Sequence, residues 1–200
     1  MIISIIGVNG AGKSTQCRLL MRHLINTGAS AVIVKPVDKK TRNRFAKLIK
    51  KNSLISTNFL FFSFYRNQAE KLIELQKQGK IAITDRYIES FLLFQQMYGL
   101  IKSGHTCLYQ EVEKMIFTDA RPDIIIYLQV SMAKANKRIA LRNRDDENYE
   151  NIVTYRASVR LYKKLASTKN GVIIDGHASE LVVHNQILAA LNLWKSAALI

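Results

Sequence analysis

"IISIIGVNGAGKSTQ", residues 2–16, is the stretch that decides how this chain folds. Four of the five residues Ile2–Ile6 are isoleucine, a run suited to a strand buried on both faces. A glycine-rich turn follows, and Lys13–Asn26 then carries apolar residues at helical spacing. The pattern G-x-x-x-x-G-K-S, from Gly7 to Ser14, becomes a mechanism when it joins a strand to a helix in this way. Its glycines let backbone N–H groups curl inward, and the helix N-terminus adds positive potential. Lys13 can reach the β- and γ-phosphates, and the Ser14 hydroxyl can ligate Mg²⁺. Gly7, Val8, Asn9, Gly10, Ala11, Gly12, Lys13, Ser14 and Thr15 are therefore expected to hold a nucleoside triphosphate. A chance glycine turn would not carry the full spacing in this context.

Two hundred residues, 48% of them hydrophobic, suit one soluble globular domain spanning the chain, 1–200. No run approaches the roughly 18 apolar residues of a membrane span. The amino terminus is an apolar strand that leads directly into the phosphate loop, so it is not expected to act as a signal peptide. Cys17 and Cys107 form no metal spacing, and no disulfide framework is expected. A cytoplasmic protein without membrane attachment is the expectation. The balance is basic, with 30 Lys+Arg against 15 Asp+Glu, a net +15 that favours anionic partners. The densest stretch is Lys35–Lys51, "KPVDKKTRNRFAKLIKK". A nucleic-acid patch there is weighed against a solvated helix face with a few substrate contacts, and the second reading is preferred.

Five apolar runs read as strands: Ile2–Ile6, Ala31–Lys35, Ile81–Thr84, Asp123–Val130 and Gly171–Asp175. Helical patterns separate them, which predicts an α/β three-layer sandwich, a five-stranded parallel sheet with helices on both faces. Ligands of such sheets lie beyond the carboxyl ends of the strands. There the third run ends in "IAITDRYIES". Asp85 at that end can hold the Mg²⁺ shell or orient the attacking oxygen, and Arg86 can clamp a second phosphate. A helix cap with its counter-charge is the plainer alternative for the pair.

Over almost its whole length the chain resembles the thymidylate kinases, a branch of the P-loop nucleoside monophosphate kinases. "GVNGAGKSTQ" resembles their phosphate loop, and "DRYIESFLLFQ" their D-R-Y-x-x-S-x-x-A-Y-Q segment, with Leu93 and Phe94 for Ala and Tyr. "RPDIIIYLQV" resembles P-D-hydrophobic-Y-L-D-V, with Gln129 for Asp, and "KRIALRNRDDENYE" stands where the family carries an arginine-bearing lid. "YKKLA", "VIIDG" and "VHNQI" resemble the closing helix, last strand and last helix.

The resemblance implies an acceptor-binding region at about 36–80 and a lid at about 138–150. It puts Phe62 and Arg66 at the acceptor base, one as a stacking ring and the other as a reading guanidinium. Four apart on a predicted helix, they share a face; the alternative is that the neighbouring phenylalanines simply fill core. Asn9, Lys35, Arg86, Tyr87, Ser90, Phe91 and Gln95 are also implied at the acceptor, and Arg138 at ATP. Some members carry an arginine in the loop, whereas others have glycine there and deliver it from the lid. With Gly10 in the loop, Arg142 or Arg144 is expected to neutralise the migrating phosphoryl group. The implied catalytic set is Lys13, Asp85, Arg86, Arg142 and Arg144, with Mg²⁺ held through Ser14 and Asp85. A homodimer is likewise a family implication.

Three positions depart from the family pattern. Asn9 stands where Asp or Glu receives the acceptor sugar's hydroxyl. Ile6 replaces the Glu before the loop, and Val34-Lys35-Pro36 replaces R-x-P, so Lys35, Arg42 or Arg44 would have to meet the acceptor phosphate. A deoxynucleoside kinase is disfavoured because Lys35 stands where that class needs a carboxylate base. A GTPase is disfavoured because "TKNG" at 168–171 does not fit a guanine signature. The expected activity is transfer of the ATP γ-phosphate to a (deoxy)nucleoside 5′-monophosphate, dTMP or a related pyrimidine nucleotide. The alternative is a nucleotide-gated binding protein with a degenerate acceptor site and a basic surface for nucleic acid or a protein.

Overall fold

The computed structural model describes residues 1–35, 53–141 and 151–198. Five parallel strands, β1 (Ile2–Ile6), β2 (Ala31–Val34), β3 (Ile81–Asp85), β4 (Ile124–Gln129) and β5 (Gly171–Asp175), form one sheet. Their order is β2-β3-β1-β4-β5. The helices are α1 (Lys13–Asn26), α2 (Leu54–Lys77), α3 (Ile88–Met97), α4 (Thr106–Phe117), α5 (Met132–Ala140), α6 (Ile152–Ala166) and α7 (Glu180–Ala198). A short 3-10 turn at Thr118–Ala120 follows α4. The basic stretch from Pro36 onward, with Arg42 and Arg44, and the lid arginines Arg142 and Arg144 lie outside the described residues. Among the described residues no helix is long and apolar enough to cross a membrane.

The isoleucine run at the start of the chain explains the layering. Successive strand side chains point to opposite faces, and β1 is buried along its whole length. Ile3 and Ile5 pack with Cys17, Leu20 and Leu24 of α1 and with Ile187 of α7. Ile2 instead joins Ala69 and Leu72 of α2, Phe91 of α3 and Phe117 of α4. Each such isoleucine contributes about 1.5–3 kcal/mol when withdrawn from water. Only a strand covered on both sides can use so apolar a run.

Strand ends differ from the sequence expectation by a residue or so, for local reasons. β3 continues to Asp85 because that residue pairs with Ile5. β2 stops at Val34, paired with Thr84, which leaves Lys35 outside the ladder. β4 begins at Ile124, and Asp123 just before it is tied to β1 twice, its backbone N–H donating to the Ile2 carbonyl at 2.9 Å and its side chain accepting the Ile2 N–H at 2.6 Å.

From β1 the chain runs outward to β2, returns to β3 on one flank of β1, and then crosses to β4 on the other. The crevice at that switch point is where open α/β sheets take their ligands. It also brings the loop after β1 beside the carboxyl end of β3.

Candidate functional site

The loop between β1 and α1 is built to meet negative charge. Gly12 stands at the N-cap of α1 with no side-chain cap, and the first turn holds no acidic residue. The positive end of the helix is thus left unneutralised. Lys13, 6% exposed, donates from Nζ to the carbonyls of Gly7 and Val8, both at 2.8 Å. Its ammonium therefore lies against the loop that the motif predicts for phosphates. Gly10 adopts φ +76°, and a Cβ there would come within 2.3 Å of the Ala135 carbonyl oxygen in α5. The loop cannot carry a side chain at this position unless α5 moves.

Beyond the loop, the Ser14 hydroxyl donates to Asp85 Oδ2 at 2.6 Å. Lys35 Nζ approaches the same carboxylate oxygen at 3.7 Å. Lys35 lies just past the end of β2, and its long side chain reaches over the sheet edge to the site. Ser14 and Asp85 present a hydroxyl and a carboxylate as neighbouring hard oxygen donors. That set fits Mg²⁺, which takes few protein ligands and leaves its other positions to phosphate and water. Among the described residues no three His, Cys, Asp or Glu side chains gather elsewhere as a metal cage.

Arg86 follows Asp85 in the left-handed conformation, φ +81°, the one non-glycine residue of the described set with positive φ. Its guanidinium donates to Asn9 Oδ1. Burial opposes its charge, but Tyr162, Asp85 and Glu89 around it raise its pKa overall. The arginine is a permanent cation at the mouth of the loop. Behind the loop, burial followed by the Asp85 charge pushes the Cys17 thiol up, so it is no nucleophile.

The acceptor residues named from the sequence divide into two groups. Asn9, Lys35, Asp85 and Arg86 converge, as described. Tyr87, Phe91 and Gln95 are each 0% exposed and offer a ligand no surface. Phe91 sits among Phe62, Tyr65, Tyr109 and Phe117 in an aromatic cluster. The Gln95 oxygen accepts the Leu100 N–H at 2.8 Å and anchors the turn after α3. All three side chains are packed into the interior. Ser90 donates to Glu89 at 3.0 Å. Phe62 is 9% exposed against Phe91, whereas Arg66 turns to Glu70 at 2.9 Å and to the Met115 carbonyl at 2.8 Å. Their shared helix face does not bring ring and guanidinium onto one pocket here.

On the far side of the loop, Arg138 donates to the Gly176 carbonyl at 2.9 Å and reaches Ala11 O at 3.5 Å. A cleft of about 240 Å³ opens there, lined by Thr15, Arg138, Leu141, Gly176, Ala178 and Val183 among others. Its walls are partly apolar, and it is continuous with the phosphate loop through Gly12 and Thr15. A flat heterocycle attached to those phosphates would enter this cleft.

Two further side chains at the site, Gln68 and Glu89, were not singled out from the sequence. The available signal was a lone carboxylate in the apolar run "YIESFLLF", at a position the family pattern leaves open.

A family model described as thymidylate kinase matches residues 5–187. A probable thymidylate kinase of Thermococcus onnurineus is 33% identical, covering 94% of this chain and 96% of its own. A thymidylate kinase of a Thermoanaerobacter species is 28% identical over 93% and 94% of the two chains. One of Halothermothrix orenii is 24% identical over 94% of each.

Proposed function

From the premise that this chain belongs to the thymidylate kinase family, we propose that it transfers the ATP γ-phosphate to a nucleoside 5′-monophosphate, dTMP or a related pyrimidine nucleotide. One observation carries this reading: Lys13, Ser14–Asp85, Lys35 and Arg86–Asn9 meet at one end of the sheet. Cations thus face the crevice from both the loop and the β3 end. The nucleophile is an oxygen of the acceptor's own phosphate, already anionic at neutral pH, so no general base is required. What the reaction needs is relief of repulsion between two phosphate-bearing substrates and in-line alignment.

In this reading the loop and Lys13 grip the β- and γ-phosphates of ATP. Arg138 and the neighbouring cleft take the adenine. Arg86 and Lys35 draw in the acceptor phosphate, whose oxygen attacks the γ-phosphorus as the bond to the β-γ bridging oxygen breaks. The products are ADP and a nucleoside diphosphate, with no covalent enzyme intermediate. Ser14 and Asp85 would hold Mg²⁺, which neutralises phosphate charge when it is bound with ATP. The chain acts as one cytoplasmic kinase domain, 1–200. No feature of the described residues favours the nucleotide-gated binding protein.

A coupled assay of ADP formation across dTMP, dUMP, UMP, dCMP and dGMP tests the activity. Turnover with a pyrimidine monophosphate is expected. ATP binding without turnover on any acceptor removes the reading.

Asn9 bears on which acceptor is preferred. Its oxygen receives the Arg86 guanidinium, and an amide carries no charge with which to select a sugar hydroxyl. Asn9→Asp is expected to raise kcat/KM for dTMP at least about tenfold, the lower end of what a charge-assisted hydrogen bond is worth. The same change is expected to lower it for 3′-substituted monophosphates that lack a hydroxyl donor. Steady-state kinetics on both proteins check this. Equal dTMP kinetics would make the neutral residue incidental and shift attention to Val34 and Lys35.

A further inference from the structure

The left-handed backbone at Arg86 is costly for a residue with a side chain, and such a conformation persists only where the surroundings enforce it. Two side chains do so from opposite ends of a single peptide group. Gln68 Nε2, from α2, donates to the Arg86 carbonyl at 3.0 Å. The Tyr87 N–H, at the other end of the same peptide plane, donates to both carboxylate oxygens of Glu89, at 3.1 and 3.0 Å. Ser90 Oγ donates to one of those oxygens at 3.0 Å, which fixes the carboxylate in turn. Gln68 and Glu89 are each 2% exposed. A buried carboxylate and a buried amide are expensive to retain unless their bonds are made. Here the Glu89 oxygens and the Gln68 amide nitrogen bond this one peptide, while the Gln68 oxygen finds no partner among the described residues.

We infer that Glu89 and Gln68 are positioning residues for Arg86, gripping the Arg86–Tyr87 peptide at both ends so that the guanidinium is aimed at Asn9 and the acceptor phosphate. Rotation of that peptide would break both sets of bonds at once and swing the arginine away from β3. Neither residue touches the substrates, so the effect passes entirely through Arg86. The inference rests on the proposed role of Arg86 at the acceptor, and its test separates the two claims.

The experiment measures steady-state kinetics of Glu89→Ala, Glu89→Gln, Arg86→Ala and the double variant Arg86→Ala/Glu89→Ala, with circular dichroism to establish folding. Glu89→Ala is expected to lower kcat/KM for the acceptor by about 10- to 100-fold, the usual consequence of a misplaced binding group. KM for ATP is expected to stay within about twofold. Glu89→Gln, which keeps one acceptor oxygen for the Tyr87 N–H, is expected to restore most of the activity. In the Arg86→Ala background the Glu89 change should add nothing, because the two act as one unit. Should Glu89→Ala fail to fold, Gln68→Ala, which frees the carbonyl end alone, is held to the same expectations. An unchanged acceptor KM in Arg86→Ala overturns the role of Arg86 and the positioning claim with it. A raised acceptor KM in Arg86→Ala beside unchanged kinetics in a folded Glu89→Ala overturns the positioning claim alone. Equal losses toward ATP and acceptor, or additive losses in the double variant, also overturn it by marking a general structural role.

Discussion

Lys13→Ala is expected to lower turnover by about a thousandfold while the fold survives. The ammonium is the one side-chain cation inside the phosphate loop, and preorganised charge at a transferring phosphoryl group typically supplies that much. Its two bonds to the Gly7 and Val8 carbonyls, at 2.8 Å each, also brace the loop. Their loss should cost stability by only about 0.5–1.5 kcal/mol apiece. Turnover, thermal unfolding and nucleotide binding measured on the same preparation distinguish these effects. A folded variant that turns over at nearly the normal rate would remove the donor site from this loop.

The second large effect concerns the lid. Replacing Arg142 and Arg144 together by alanine is expected to lower kcat by about 10³-fold, the lower end for a catalytic arginine, and ATP affinity much less. Gly10 leaves the loop without an arginine, and the Ala135 carbonyl occupies the space into which any side chain there would grow. A further cation to meet charge developing in transfer would then come from outside the loop, and the family resemblance implies Arg142 or Arg144, which follow α5 in sequence. Steady-state kcat and KM for ATP check this. A double variant with full kcat and only a raised KM would reduce these residues to ATP binding.

The role expected of Lys13 rests on fifteen consecutive residues, because a phosphate loop is a local device. Its glycines, its lysine and the start of its helix are fixed by neighbours in sequence, and α1 runs over the predicted Lys13–Asn26. Four isoleucines in five residues likewise sufficed for a central strand, since nothing but two-sided burial suits them. Family membership was readable for the same reason, being carried by short motifs.

The family resemblance was a weaker guide to the acceptor side. It implied Tyr87, Phe91, Gln95 and Phe62 there, and all four lie toward the interior. A motif cannot report whether that interior is cleft or core, because both select apolar and aromatic groups. Arg66 illustrates the same limit: its partners, Glu70 and Met115, come from its own helix and from α4, and only packing decides between them and a ligand.

What the sequence determined by itself, then, was the strand–loop–helix unit, the α/β layering and the family, all carried by patterns within short stretches. The tertiary structure decided what spans the chain. Ser14 meets Asp85 across 71 positions, and Arg86 meets Asn9 across 77, because the sheet order lays β3 beside β1. Lys35 reaches the Asp85 carboxylate because β2 ends beside β3, although nothing in "KPV" says which way its side chain turns. Gln68 and Glu89 close on one peptide only after α2 and α3 have packed on the same face of the sheet. Hydrogen bonds and ion pairs act over a few ångströms, so the partners of a residue follow from which strands become neighbours, and that follows from burial of the whole chain.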